Sequence, residues 1–137
     1  MSRRVALGLV VAVLAFVAAG CGSRSSAPYT AGATKACMTK KGFTGVTTSG
    51  AKVGFIAAFA QNGGLRATGA DGNVLTIAFA GDSSSVDSTK QAFRNHAPPK
   101  LRPRINDIML SQGNAVLVWT VTPTPKLLAD AESCLHS

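Results

Sequence analysis

The sequence predicts an α+β fold: a four-stranded antiparallel sheet in ββαββα order, its helices on one face, with an extra helix on the amino-terminal side. Three observations predict it. Two Gly-Asn dipeptides, Gly72-Asn73 and Gly113-Asn114, lie 41 residues apart, and each precedes a nearly continuous apolar run. Each run leads into a cap zone rich in Ser or Thr and then into an amphipathic helical stripe. About a hundred residues follow residue 33, room for one modest core. A ββα unit carries a sheet face that it cannot bury alone, and two units side by side bury it together.

The first element of this domain, residues 34–137, is "TKACMTKKGF". Thr34 is expected to cap a helix, Lys40 and Lys41 suit its carboxyl end, and Gly42-Phe43 fits a left-handed cap with an apolar contact. "TGVTTSG" reads as extended chain. "AKVGFIAAFAQNGG" fits two periods: Val53, Phe55, Ala57 and Phe59 alternate like a strand, whereas Phe55, Ile56, Phe59 and Ala60 share a helical stripe. The alanines and Gly63-Gly64 favour a short helix. Asp71-Gly72 then signals a two-residue hairpin turn, and Val74 to Ala80 is apolar enough for a central strand.

Asp82 to Ser85 can cap the next helix, whose stripe is Val86, Thr89, Phe93 and Ala97 and whose stop is Pro98-Pro99. A second hairpin turns at Gly113-Asn114. The last helix has Thr124 as cap, Pro125 at its first position and a stripe of Leu127, Leu128, Ala131, Cys134 and Leu135.

Ahead of the domain, Arg3 and Arg4 precede thirteen residues, Val5 to Val17, without charge or proline. Small residues follow. This is the order of a secretory signal peptide, and the run is too short for a spanning helix, which needs about 20 residues. Ala18-Ala19-Gly20-Cys21 resembles the lipobox of bacterial lipoproteins, with Ala18 where Leu is more usual. The resemblance covers residues 1 to 21. It implies cleavage of residues 1–20, a diacylglycerol on the Cys21 thiol, and a chain anchored on the outer side of the cell membrane. Ordinary signal-peptidase cleavage after Ala19 is the alternative, since Val17 and Ala19 also suit that enzyme. Composition and layout resemble the small lipoproteins of high-GC Gram-positive bacteria. Residues 21–33 read as the lipidated terminus and a flexible linker of root-mean-square reach about 20 Å.

If Cys21 is acylated, Cys37 and Cys134 remain, one near each end of the domain. Export permits a disulfide between them, closing a loop of about 97 residues; two buried free thiols are the alternative. No CxxC suggests a redox or paired-thiolate zinc site.

Little in the chain points to catalysis. Asp71, Asp82, Asp87, Asp130 and Glu132 fall at turns, caps and helix faces, His96 ends a helix and His136 is penultimate. Nothing resembles GxSxG, HExxH or SxxK, and no cofactor or metal site is expected. The chain carries +8 overall, about +6 without Arg3 and Arg4. Its one basic run is Lys90, Arg94, Lys100, Arg102 and Arg104, with no acid between Asp87 and Asp107. Such a strip can dock anionic headgroups or wall polymer; a solvated connector is the plainer reading. Nucleic acid is not expected outside the cytoplasm. The expectation is therefore a monomeric, non-enzymatic binding or accessory domain at the cell envelope, with an unidentified protein partner possible. An envelope hydrolase or transferase would need a concave pocket with two facing ionisable groups. A spacer or assembly factor would need a large exposed apolar patch.

Overall fold

The computed structural model describes residues 26–136. The leader, Cys21 and the start of the linker lie outside the described residues. Five strands form one antiparallel sheet: β1 (Thr44–Thr47), β2 (Gly64–Thr68), β3 (Val74–Phe79), β4 (Met109–Gln112) and β5 (Ala115–Trp119), in the order β1-β2-β3-β5-β4. Among the described residues six α-helices accompany it: α1 (Ala31–Lys40), α2 (Gly50–Val53), α3 (Phe55–Ala58), α4 (Val86–His96), α5 (Ile105–Ile108) and α6 (Pro125–Glu132). The fold is α+β. The ββαββα order runs from β2 to α6, interrupted only by short helical turns.

The expected four-stranded sheet gains a fifth strand. "TGVT" pairs with β2, its register shifting between Thr44 and Thr47, where Gly45 has φ 59°. An irregular, half-exposed edge strand protects the sheet from further pairing. The two most apolar strands, β3 and β5, are central, and paired residues there are buried together (Leu75 with Trp119, Ile77 with Leu117, Phe79 with Ala115).

Helices cover both faces, not one. Strand alternation puts Leu65, Ala67, Leu75, Ile77, Phe79, Leu117 and Trp119 on the same side, all buried. On that side lie α1 and α6, and a disulfide joins Cys37 of α1 to Cys134, just beyond α6, across 97 residues, with Cα atoms 5.3 Å apart. The opposite side presents Thr76, Ala78, Val116 and Val118. There Val53 of α2, Ala57 of α3 and Phe93 of α4 pack over Ala78. Short helices on this second face became possible because Gly54 (φ 89°) breaks residues 50–58 into two single turns where one continuous helix was expected.

Local signals were mostly obeyed. Gly42 takes φ 87°, its N–H bonds Thr39 O at 3.1 Å and the Phe43 N–H bonds Met38 O at 3.1 Å, a complete left-handed helix cap. Thr124 caps α6 by accepting from the Leu127 N–H at 3.3 Å. Thr34 does not cap α1. It is fully buried inside the helix, and Thr30 accepts from the Ala33 N–H at 3.2 Å instead. The folded unit consequently begins before residue 34: the Thr30 N–H bonds His136 O at 2.9 Å and the Ala31 N–H bonds Asn62 O at 3.1 Å.

The two Gly-Asn dipeptides make different turns with a common consequence. Gly113 (φ 56°) leads a two-residue turn between Gln112 and Ala115. At the first hairpin the expected two-residue turn is instead a three-residue loop, Ala70-Asp71-Gly72, closed by the Gly69 N–H on Asn73 O at 2.9 Å. Both asparagines are buried. The Asn73 amide donates to Val121 O at 2.8 Å, and Asn114 donates to Ala80 O at 2.7 Å. Exchanging each residue with the one 41 positions away turns the first bond into the second. The same exchange turns the Leu75–Trp119 pair into Val116–Ala78, which is also a pair. That second match follows from the antiparallel register alone, and the exchanged residues face opposite sides of the sheet, so the repeat is one of turn chemistry: a buried asparagine at each end of the β3–β5 ladder.

Candidate functional site

The second face of the sheet is not fully closed. Thr76 on β3 and Val118 on β5 are cross-strand partners, and both remain half-buried where their neighbours Leu75, Ile77, Leu117 and Trp119 are sealed. They floor a cleft of about 350 Å³. One wall is Val53, Phe55, Ile56 and Ala57 from α2 and α3; the other is Phe93 and His96 from α4 with Ala97, Pro98, Leu101 and Ile105 beyond it. The sequence dictates this opening. Pro98-Pro99 ends α4 at His96 and forces the chain away from the sheet, while the one-turn helices on the other side are too short to reach across.

The cleft is mostly apolar. His96 is the single ionisable side chain in its lining, with its ring centroid 6.2 Å from that of Phe55. Phe55 stands on the lip, 69% exposed, and its ring lies 5.0 Å from Phe59, itself 78% exposed. A second cleft, of about 320 Å³, opens on the other side of Phe55 and Ile56 and is walled by Phe59, Gln61 and Thr89. Large aromatic side chains standing in water between two concavities mark an interaction surface.

The basic run is split by the fold. Lys90 and Arg94 lie along α4, and Lys100, Arg102 and Arg104 lie on the connector to α5. Arg94 donates to Asn106 Oδ1 at 3.2 Å, and Arg102 donates through Nε to Ala97 O at 2.9 Å. Arg102 is therefore held against a residue that lines the cleft. Arg66 joins the same surface from β2: it pairs with Thr76, so its side chain leaves the same face of the sheet, and its Nη1 donates to Lys52 O at 3.4 Å. Sequence reasoning missed Arg66 because no other basic residue lies nearer in the chain than Lys52, fourteen residues back; only pairing with Thr76 puts it on the face that carries the cleft.

The carboxylates are occupied elsewhere. Asp82 accepts from the Ser84 and Ser85 hydroxyls at 2.7 and 2.9 Å and from the Ser85 N–H at 2.9 Å. These bonds, led by that from Ser84, hold its carboxyl below the ordinary value. Asp130 bonds Lys126 at 2.6 Å and lies 3.6 Å from Lys41, tying α6 to the end of α1. The hydrogen bond from Lys126 is the main reason its carboxyl is also lowered. Among the described residues no three His, Cys, Asp or Glu side chains gather as a metal site would need. No described helix is long and apolar enough to cross a membrane. Compared with known proteins, the chain matches no family model, no curated protein and no solved structure.

Proposed function

We propose that the protein is an exported lipoprotein, anchored through acylated Cys21 on the outer side of the membrane, whose folded domain binds a ligand or partner in the cleft between α2–α3 and α4. The observation that carries the reading is the cleft itself. A concave, mostly apolar surface over two half-open strand residues favours binding. The Cys37–Cys134 disulfide supports an oxidising location, and the basic residues beside the cleft suit the anionic surfaces of a cell envelope.

Two measurements test it. Detergent-phase partitioning and the mass of the native amino terminus are compared between wild type and Cys21→Ser; wild type is expected to carry diacylglycerol on Cys21 and to partition into detergent, the variant to stay in the aqueous phase. Identical partitioning of the two counts against the anchor. Capture of envelope components by the tethered domain is then compared with Phe55→Ser, which is expected to lose them. A second reading, an assembly factor that docks on another protein, is favoured by the exposed Phe55–Phe59 pair. It predicts that Phe59→Ser, outside the cleft, is as damaging as Phe55→Ser.

A further inference from the structure

We propose that the cleft takes a single-chain anionic amphiphile, with its acyl chain along the Thr76–Val118 floor and its acidic head between Arg66 and Arg102. The inference rests on the cleft's being the ligand site and names the chemistry of the ligand. Three features of the site converge on it. The floor and walls are mostly apolar, and an opening between a helix pair and a helix-plus-connector suits a flexible chain. Its volume of about 350 Å³ equals that of about a dozen water-sized groups, at about 30 Å³ each. A methylene is close to that size, so a chain of roughly ten to twelve carbons fills it.

The two charged side chains placed beside the cleft, Arg66 and Arg102, are both basic. Arg66 leaves the sheet beside Thr76 at cross-strand distance, about 5 Å between Cβ atoms. One of its five N–H donors is spent on Lys52 O. Arg102 is fixed by one bond to Ala97 O, and its other donors remain for a ligand. No carboxylate lines the cleft, and neither ion pair among the described residues involves either arginine. A purely apolar ligand would leave these guanidinium groups unused, whereas a carboxylate or phosphate head can pair with a guanidinium. His96, in the α4 wall of the cleft, adds a further polar group.

The test uses the full chain with Cys21→Ser, which carries no acyl chains of its own. Saturated carboxylates of eight, ten and twelve carbons, and dodecanol, are titrated below their aggregation concentrations by calorimetry. Each two-carbon extension is expected to tighten binding by up to about fifteenfold, and dodecanol to bind at least about tenfold more weakly than dodecanoate. Arg66→Gln with Arg102→Gln is expected to erase the advantage of the acid while keeping the dependence on chain length. Val118→Phe, which fills the floor, is expected to abolish binding, with circular dichroism and the intact disulfide checking the fold; Phe55→Ala, an exposed wall residue, makes the same test should Val118→Phe not fold. Affinity that ignores chain length, equal affinity for acid and alcohol, or no binding by the folded protein overturns the proposal. Because the test protein is unlipidated, the result is independent of whether Cys21 is acylated, which the mass of the native amino terminus decides separately.

Discussion

Asn114 grips Tyr29 across 85 residues of sequence: its side-chain Oδ1 accepts the Tyr29 N–H at 2.7 Å, and its Nδ2 donates to Tyr29 O at 2.9 Å. A third bond, from Nδ2 to Ala80 O, completes the amide. One buried side chain thus joins the chain entering the domain, the end of β3 and the start of β5. If the protein is held by Cys21, this is where the tether becomes rigid. Tyr29 lies eight positions beyond Cys21, at most about 28 Å of chain, so an anchor at Cys21 would keep the domain against its surface.

Asn114→Ala should therefore destabilise the domain by about 2–3 kcal/mol, because it strands buried backbone groups as well as removing the amide. Urea midpoints measure the loss, and limited proteolysis between Ser26 and Tyr29 should become faster. Asn73→Ala, which removes the corresponding bonds to Val121 at the other end of the β3–β5 ladder, should destabilise similarly without exposing that segment.

Removing the disulfide by Cys37→Ser with Cys134→Ser should cost up to about 4.7 kcal/mol, the chain-entropy value for a loop of this length. The variant and the wild type under reducing conditions should have the same urea midpoint. A variant as stable as the oxidised wild type would mean that the cross-link does not constrain the unfolded chain.

Gly32 in α1 and Gly42 in the cap that follows it should respond in opposite directions. Gly32 is exposed on the helix, with nothing within 4 Å of an added Cβ, so Gly32→Ala should stabilise by about 0.4–1 kcal/mol. Gly42 sits at φ 87° in the cap, and Gly42→Ala should destabilise by about 1 kcal/mol. Thermal unfolding of the pair separates backbone conformation from packing, since neither site is crowded.

Acid should weaken the cap at Asp82 in a defined direction. Its folded pKa lies below the ordinary 3.8 because Ser84 and Ser85 bond the charged form. The contribution is fully present above the ordinary value and is lost as pH falls through the folded one. Urea midpoints of wild type and Asp82→Asn, compared from about pH 5 to pH 2, should differ most at the upper end and converge at the lower. Asp82 is exposed, so the difference should be small.

What the sequence determined by itself was what neighbouring residues decide. Gly42-Phe43 ended α1, Thr124-Pro125 began α6, Pro98-Pro99 stopped α4 and Gly113-Asn114 turned the second hairpin, each through backbone conformation or hydrogen bonds within a few residues. The pairing of Cys37 with Cys134 was legible by elimination, given a role for Cys21. Tertiary structure decided the rest. "TGVT" has too little apolar periodicity to declare itself a strand; its partner Thr68 lies 24 residues away, and only the exposed edge of β2 recruits it. Thr34 had the chemistry of a cap but was taken into the core, where its hydroxyl faces the His136 N–H at 3.5 Å. The cleft was least visible of all. Thr76, Val118, Arg66 and Arg102 come from four separate segments, and whether a strand residue is sealed or left half-open depends on how far apart α3 and α4 stand above it. Local chemistry chooses turns and caps because it acts over a few ångströms along the chain. A binding surface is the space left between elements after they have packed, and that space is set by the whole fold.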